Sequence, residues 1–385
     1  MFAGLRRLGR EYAGLRRFLA GNDRPRIVFY AEDRGSWPHF EPIVKALTGR
    51  LAREIAYVTS SANDPILDGN DPKIDPYGVG AGAARITFFE TLQNALVVMT
   101  MPDLQTYHIK RSKLPGVHYV YVHHSLVSTH MAYRRGAFDH FDTVFCAGPH
   151  HVAETRATEK LYGLRAKELV EHGYGRLDAI LQESCVAGRK DRTPPNILLA
   201  PSWGEHAILE TVGERVIDAL LGAGWRVTVR PHPRTRQTSP KTLERLARRF
   251  GAREDFSLEE DIASFESLLG ADLMISDWSG AALEYALGLE RPVLFLDVPR
   301  KVNNPEYASL PMEPLEVSVR RTLGAVVPPG DTAALCREAE RLVAAAGACA
   351  EGLRRTRREI VFNVNRSGEI AAGALADRFD RLFGG

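Results

Sequence analysis

Five short segments of the 385-residue chain contain histidine, serine or arginine, and four of them also contain the glycine or proline that shapes loops. They are 123–125 (HHS), 173–178 (GYGRLD), 201–204 (PSWG), 230–233 (RPHP) and 276–280 (SDWSG). Histidine exchanges protons near neutral pH, and serine or glycine at the start of a helix exposes backbone N–H groups that bind anions. Together these residue types suit a reaction on a phosphorylated substrate.

The segment SDWSG lies between a predicted strand and a predicted helix. Ser279 or Gly280 would cap that helix and direct the positive end of its dipole at a phosphate. Ser276 and Asp277 belong to the same turn, and Glu284, one helical turn later, is placed to accept hydrogen bonds from ribose or base hydroxyls. The alternative is a plain strand-to-helix turn.

The segments RPHP and PSWG also follow predicted strands. Two prolines stiffen the loop around His232 and fix the direction of its side chain, as gripping a phosphate or nucleotide requires. Arg230 precedes this histidine, and Ser202 with Trp203 forms a matching loop. The alternative for His232 is an exposed turn residue without a role.

The pair His123-His124 ends an apolar strand in the first half of the chain. Histidine is the usual general base for an acceptor hydroxyl. Because neighbouring residues on an extended strand point to opposite sides, the two rings are poorly placed to bind one metal ion together. We expect one of them to face a cleft while the other packs, we assign a substrate-binding role to His123, and we predict no metal site.

A Tyr-Gly-Arg turn framed by glycines comes near the end of the first half. Arg176 would be available to an anion there, and Asp178 would cap the helix that follows. A solvated surface turn is the alternative. The glycine-rich stretch 78–82 follows residues 75–77 (DPY) rather than a convincing strand, and it is interpreted as a flexible loop.

Apolar runs alternate with amphipathic stretches along both halves of the chain, which predicts parallel sheets covered by helices on both faces. In the first half the predicted strands are 26–31, 54–59, 95–100, 117–123 and 143–147. In the second half they are 196–200, 225–230, 272–276 and 292–296. The expected fold class is α/β, with two doubly wound Rossmann-like domains facing a cleft.

The length suits two domains, and 44% hydrophobic with 25% charged residues excludes a disordered chain. The charged stretch 188–195, which ends in two prolines, predicts a linker. We therefore expect four parts. They are a basic helix over 1–25, an acceptor and base domain over 26–190, a nucleotide-donor domain over 191–366, and a helix over 367–385 that crosses back to the first domain.

Positive charge is concentrated at the N-terminus, where residues 1–26 carry seven arginines against two acidic residues. Apolar residues at spacings of three or four predict an amphipathic helix there, namely Leu5, Leu8, Tyr12, Leu15 and Leu19. Such a helix either lies on the anionic inner face of the cell membrane or packs on its own domain. Both alternatives stay open.

Several other classes of protein are disfavoured. No apolar run approaches the length of a membrane span or resembles a signal peptide, and the 4 scattered cysteines fit a cytoplasmic protein. The chain has no GxxxxGK[ST], GxSxG or HExxH motif. Basic residues form no aromatic-interleaved stripe along the body, so we expect no nucleic-acid partner.

The five segments, in this order, resemble the CDP-glycerol glycerophosphotransferase family, which includes teichoic acid primases and polymerases. That family has a His-Gly pair, a GYPRxD segment, and APTW, RxHP and DYSS-type loops. The resemblance covers roughly residues 118–300. Ser125 replaces the glycine of the pair, Gly175 replaces the proline, and Trp278 with Gly280 alters the last loop.

The resemblance implies a GT-B architecture and transfer of glycerol phosphate, or a similar nucleotide-activated group, from CDP-glycerol to a polysaccharide or lipid-linked acceptor. His124 would act as general base and CMP would leave. His232, Arg230, Ser279 and Gly280 would hold the pyrophosphate, since phosphoryl transfer depends on positioning and electrostatics. No cofactor is implied.

Three alternatives stay open. A GT-B nucleotide-sugar glycosyltransferase of capsule or lipopolysaccharide synthesis would use the same phosphate site but attack a sugar carbon. An enzyme like the UDP-sugar 2-epimerases would share the architecture, although the first half has no carboxylate-rich motif to serve as its acid and base. A non-catalytic nucleotide-binding homologue would keep the fold without turnover.

Overall fold

The computed structural model describes residues 2–21, 23–107, 109–188, 192–259 and 264–384, with side chains from residue 8 onward. The chain forms two compact units. Unit 1 comprises Met1–Ser125, Tyr133–Asp178 and Val361–Gly385, and unit 2 comprises Leu126–Ala132 and Ala179–Ile360. The predicted linker, 188–195, includes residues 189–191, which lie outside the described residues.

Unit 1 is built on a seven-stranded parallel sheet in the order β3-β2-β1-β4-β5-β6-β7. Its strands are β1 Arg26–Ala31, β2 Ile55–Thr59, β3 Ile74–Gly78, β4 Ala95–Met99, β5 Val117–Val122, β6 Thr143–Cys146 and β7 Glu168–Glu171. Its helices are α1 Phe2–Leu19, α2 Trp37–Lys45, α3 Ala83–Thr91, α5 Pro149–Tyr162, the start of α6 Gly175–Ala187, and α16 Ser367–Phe383. The central strands are continuously apolar because helices cover both faces of the sheet.

Unit 2 contains a six-stranded parallel sheet in the order β10-β9-β8-β11-β12-β13. Its strands are β8 Asn196–Leu199, β9 Arg226–Val229, β10 Phe256–Leu258, β11 Leu273–Ser276, β12 Val293–Leu296 and β13 Gly324–Val327. Its helices are α4 Thr129–Ala132, α7 Ile208–Thr211, α8 Gly213–Gly222, α9 Pro233–Thr238, α10 Pro240–Phe250, α11 Glu266–Gly270, α12 Gly280–Leu289, α13 Leu315–Ser318, α14 Arg320–Leu323 and α15 Thr332–Ile360. The predicted α/β class is confirmed.

The glycine-rich stretch 78–82 follows a strand, contrary to the sequence interpretation. β3 pairs in parallel with β2 at the edge of the sheet, and α3 begins at Ala83. An edge strand tolerates Pro76, which has no N–H to donate to a second neighbour. The stretch is therefore a βα connection.

Helix α1 packs on unit 1 through only part of the predicted stripe, Leu15 and Leu19, together with Phe18. Leu15 and Phe18 are buried, whereas Leu8 is 48% and Tyr12 is 42% exposed. A Cβ atom at Gly14 would fall 2.2 Å from the carbonyl oxygen of Gly78, so this glycine permits the close approach of α1 to β3. The side chain of Leu5, which belongs to the predicted stripe, lies outside the described residues.

Helix α16 packs against α2 in unit 1. Asp178, predicted to cap its own helix, instead accepts hydrogen bonds from the backbone N–H groups of Asn365 (2.6 Å) and Ser367 (3.1 Å) and from the Ser367 hydroxyl (2.5 Å). The first N–H groups of a helix have no acceptor within the helix itself. The carboxylate of Asp178 therefore supplies an acceptor at the start of α16.

Residues 126–132, which directly follow His124-Ser125 in the chain, belong to unit 2. The buried carboxylate of Glu316 accepts hydrogen bonds from the backbone N–H (2.7 Å) and hydroxyl (2.8 Å) of Ser128. The amide of Asn304 donates to the carbonyl of His130 at 2.9 Å. These bonds fix the segment among residues far from it in sequence.

Candidate functional site

In unit 1, His124 lies just beyond the end of β5, where parallel strands present functional side chains. Its Nδ1 is 3.0 Å from the hydroxyl oxygen of Tyr121, and its carbonyl accepts a hydrogen bond from the hydroxyl of Tyr174 at 3.0 Å. His124 is partly exposed, while both tyrosines are buried. The backbone and the ring of His124 are therefore each held by a rigid neighbour.

His39, in the first turn of α2, is a further neighbour of His124, with 6.1 Å between the ring centroids. Burial lowers the pKa of His39 well below its ordinary value, and the positive charge of Arg176 lowers it further. His39 is therefore a neutral ring at physiological pH, and Arg176 supplies positive charge to the same neighbourhood. The arrangement pairs a candidate base with a cation that could attract an anionic substrate.

His123 is the member of the histidine pair that packs. It is 1% exposed, and its ring stacks on that of His151 with 3.8 Å between centroids. Burial lowers the pKa of His123 well below its ordinary value, and the electrostatic effect of His124 lowers it further. The structure buries the side chain of His123 inside unit 1. A buried ring does not reach a substrate, which disagrees with the predicted substrate-binding role.

Buried neutral histidines predict acid sensitivity. Burial lowers the pKa of His172 to about 3, and its ring nitrogens have no hydrogen-bond partner among the residues that the structure describes. Below pH 6.5 the unfolded chain binds a proton that the folded chain excludes, so stability falls by about 1.4 kcal/mol per pH unit for such a group until the folded pKa is reached. Thermal midpoints should therefore drop between pH 7.5 and 5.5, and drop less in His172→Leu.

His140, which is exposed, provides the matched control for this measurement. His140→Leu should keep the full pH dependence of the wild-type thermal midpoint. An equal pH dependence in His172→Leu and wild type would contradict the assignment of a buried, neutral His172.

In unit 2, the carboxylate of Asp277 joins two loops. It accepts hydrogen bonds from the backbone N–H groups of Ser202 (2.7 Å), Trp278 (2.6 Å) and Ile208 (3.3 Å). The side chain is 1% exposed. Asp277 therefore fixes the loop after β8 to the loop after β11, and backbone groups take up both of its oxygens.

These loops line a pocket of about 220 Å³. Its lining includes Ser202, Trp203 and Trp278, together with Arg300 and Lys301 from the loop after β12. The amine of Lys301 lies 3.9 Å from the ring centroid of Trp203, a cation–π distance. The pocket is thus lined by aromatic and positively charged groups, as a nucleotide phosphate requires.

His232 caps α9, and its Nδ1 accepts a hydrogen bond from the backbone N–H of Arg234 at 3.1 Å. In the neutral ring the proton is then on Nε2, which makes that nitrogen a donor rather than a base. The ring centroid lies 6.1 Å from that of Trp203. The geometry suits contact with an anion better than proton abstraction.

The remaining predicted residues are not among those that line the pocket. Arg230 donates to the hydroxyl of Ser267 at 2.9 Å and lies 3.5 Å from Glu259. The hydroxyl of Ser276 donates to the carbonyl of Ala200 at 2.7 Å. Arg230 and Ser276 therefore make contacts within unit 2 that hold the loops after β9 and β11.

The start of α12 shows the predicted cap. The hydroxyl of Ser279 accepts a hydrogen bond from the N–H of Ala281 at 3.3 Å, and Gly280 is the first helical residue. Glu284 is buried in the same helix. The cap predicted at Ser279 is therefore confirmed. The carboxylate of Glu284, predicted to accept hydrogen bonds from ribose or base hydroxyls, is instead buried inside unit 2.

Comparison with known families decides the classification. The family described as CDP-Glycerol:Poly(glycerophosphate) glycerophosphotransferase matches residues 16–298. The chain belongs to this family. No curated protein sequence matches the chain.

Solved structures similar to this glycerophosphotransferase-family chain include three UDP-GlcNAc 2-epimerases. The putative enzyme from Listeria monocytogenes has a TM-score of 0.56 at 14% identity, covering 94% of this chain and 98% of that chain. The Methanocaldococcus jannaschii enzyme, in complex with UDP-GlcNAc and UDP, has a TM-score of 0.55 at 15% identity, covering 91% and 99%. The Neisseria meningitidis enzyme bound to UDP-GlcNAc has a TM-score of 0.56 at 10% identity, covering 91% and 100%. These similarities concern the fold, and the predicted GT-B class is confirmed.

Several residues of this glycerophosphotransferase-family chain escaped the sequence analysis. Lys301 and Arg300 follow a correctly predicted strand, β12, and position alone could have indicated them, because ligands bind beyond the carboxyl ends of parallel strands. His39, in the first turn of α2, belongs to none of the five segments. Nothing in the sequence indicates that Glu316 holds Ser128.

Two features are absent from the described part of this glycerophosphotransferase-family chain. No group of three or more His, Cys, Asp or Glu side chains is arranged to hold a metal ion among the described residues. Within the same residues, no helix is long and apolar enough to cross a membrane.

Proposed function

We propose that this protein transfers glycerol phosphate, or a similar nucleotide-activated group, from CDP-glycerol to a polysaccharide or lipid-linked acceptor and releases CMP. The product would be a cell-surface polymer such as teichoic acid or a capsule. The family match over residues 16–298 supports the class of reaction. The observation that carries the proposal is the pocket of unit 2, whose aromatic and cationic lining suits a nucleotide diphosphate.

In the proposed reaction, Nε2 of His124 takes the proton of an acceptor hydroxyl. The hydroxyl oxygen forms a bond to the phosphorus that carries glycerol, the bond from that phosphorus to the bridging oxygen breaks, and CMP leaves with the electron pair. For Nε2 to accept the proton, Nδ1 must carry a hydrogen and donate it to Tyr121 Oη, 3.0 Å away. Burial raises the pKa of Tyr121 well above its ordinary value, so its hydroxyl stays uncharged.

Groups of unit 2 would hold the donor. His232 would donate through Nε2 to the diphosphate, and the N–H groups at the start of α12, capped by Ser279, would face negative charge. Arg230 would support this site indirectly, through its contacts with Glu259 and Ser267. Stabilising the charge of the leaving CMP is the main task of a phosphoryl-transfer site.

The outer face of α1 would meet the anionic inner membrane surface, where lipid-linked acceptors are found. Arg10, Arg16, Leu8 and Tyr12 are exposed on this helix, while its opposite face packs on unit 1. Each arginine near an anionic surface contributes about 1 kcal/mol. Arg10→Gln combined with Arg16→Gln should therefore weaken cosedimentation with phosphatidylglycerol vesicles roughly 30-fold.

Two exposed residues of unit 2 provide the matched control for the vesicle experiment. Arg248→Gln combined with Arg337→Gln changes the net charge by the same amount away from α1. This control should bind vesicles like the wild type. Equal vesicle binding by both double variants would contradict membrane binding through α1, and α1 would then only pack on unit 1.

The function is tested by incubating the protein with CDP-glycerol, CMP-sugars or UDP-sugars and a lipid-linked glycerol phosphate oligomer, and by measuring the nucleotide released. We expect CMP from CDP-glycerol alone. Release of UDP would favour a nucleotide-sugar glycosyltransferase. Interconversion of UDP-sugars without release of nucleotide would favour an epimerase, and donor binding without any product would favour a non-catalytic homologue.

A further inference from the structure

Two tryptophan rings of the unit 2 pocket each carry two cations. Trp203 has the amine of Lys301 at 3.9 Å and the guanidinium carbon of Arg234 at 4.7 Å from its ring centroid. Trp278 has the guanidinium carbons of Arg320 at 4.0 Å and Arg300 at 5.7 Å. Four positively charged side chains thus lie around two tryptophan rings.

Only one of these cations is neutralised by a carboxylate within the described residues. Arg320 forms an ion pair with Asp297 at 2.8 Å. Lys301 has no carboxylate oxygen within 4 Å in that part of the chain, and the nearby Asp277 already accepts three backbone hydrogen bonds. An aromatic face attracts a cation without cancelling its charge, so the amine of Lys301 can still attract an anionic ligand.

We propose that Lys301 binds the diphosphate of the nucleotide donor and neutralises the charge that develops on the departing CMP phosphate. This role rests on the proposed function. Lys301 stays protonated throughout the reaction, because its contribution is electrostatic and it transfers no proton. Trp203 positions the amine, since its ring holds the flexible side chain against the pocket wall.

The surroundings of Lys301 make the contact sensitive to pH. Burial lowers the pKa of Lys301 to about 8; Asp277 and Glu210 act in the opposite direction, and Arg234 adds to the lowering. Donor affinity should therefore weaken as the pH rises through 8 in the wild type. Lys301→Arg should bind the donor without this weakening, because a guanidinium keeps its charge there.

Other charged groups that line the pocket are Glu205, His206 and Arg300. The side chains of Glu205 and His206 lie 3.1 Å apart and are largely exposed, so solvent screens their effect on Lys301. The predicted change in affinity as the pH rises through 8 therefore reports on Lys301.

The test measures binding of CDP, UDP and inorganic pyrophosphate by calorimetry to the wild type, Lys301→Met, Lys301→Gln and the control Lys241→Met, which replaces an exposed lysine on α10. A charge-assisted hydrogen bond to phosphate is lost in the Lys301 variants, so we expect about tenfold or greater weakening for CDP and pyrophosphate. Lys241→Met should bind like the wild type. Circular dichroism would show that the variants keep their fold.

The outcomes separate the two proposals. Wild-type affinity for CDP in both neutral Lys301 variants would overturn the role of Lys301 and leave the proposed function intact. If UDP, but not CDP, bound in a Lys301-dependent manner, the assignment of Lys301 to a diphosphate would hold and CDP-glycerol would be the wrong donor. If neither CDP, UDP nor pyrophosphate bound to the wild type, both proposals would be overturned.

Discussion

His124→Gln is expected to lower the turnover of CDP-glycerol by about two to four orders of magnitude, the usual contribution of a general base. Glutamine keeps a polar side chain of similar reach but accepts no proton at neutral pH. Because the donor pocket is formed by residues of unit 2, the dissociation constant for CDP should stay within about twofold of wild type. Stopped-time assays of CMP release and calorimetry with CDP provide the two measurements.

Two further variants make the result for His124 specific. Tyr121→Phe removes the partner of Nδ1 but keeps the imidazole, so it should lower the rate by about tenfold, as expected for one lost hydrogen bond. His140→Gln, at an exposed position of unit 1, should leave the rate unchanged. A His124→Gln enzyme with wild-type turnover would exclude His124 as the base.

Asp277→Ala should have the largest effect on the stability of unit 2. The substitution leaves the backbone N–H groups of Ser202, Trp278 and Ile208 buried without their acceptor. Each such donor costs about 1–3 kcal/mol, so we expect a loss of roughly 3–5 kcal/mol together with loss of CDP binding. Asp277→Asn, which keeps one acceptor oxygen, should lose about 1–2 kcal/mol.

Urea unfolding followed by tryptophan fluorescence measures this effect, because three of the 4 tryptophans, Trp203, Trp225 and Trp278, belong to unit 2. Asp218→Ala is the control, since Asp218 forms an exposed ion pair with Arg249 on the surface of α8. Exposed pairs contribute at most about 1 kcal/mol. An Asp277→Ala midpoint equal to that of the control would contradict the role of Asp277 in joining the two loops.

Much of the fold could be predicted from the sequence, because central parallel strands are continuously apolar. The nine predicted strands, from β1 at 26–31 to β12 at 293–296, agree with the structure within one residue at each end. The strands that were missed, β3, β7, β10 and β13, lie towards the sheet edges. Edge strands bury less surface, so β3 carries Pro76 and β7 carries two glutamates, and neither has an apolar run to reveal it.

The candidate site was predicted less completely, because the direction of a side chain depends on tertiary contacts. The motifs correctly located the loops after β5, β8, β9 and β11, but they did not reveal that Arg230 turns towards Glu259 or that His123 packs in the core. Lys301 is part of no motif. Its position became meaningful only when Trp203, almost one hundred residues earlier in the chain, was found beside it.

In the proposed reaction, the phosphorus that carries glycerol moves from CDP-glycerol to an acceptor oxygen. Phosphorus NMR of CDP-glycerol incubated with the wild-type protein and a lipid-linked glycerol phosphate oligomer follows this transfer directly. We predict that the diphosphate signals disappear as equal amounts of CMP and a new phosphodiester appear, and that His124→Gln slows both changes by at least about a hundredfold. Persistence of the diphosphate signals in the presence of folded wild-type protein and acceptor, or release of glycerol phosphate without a phosphodiester product, would exclude this transfer.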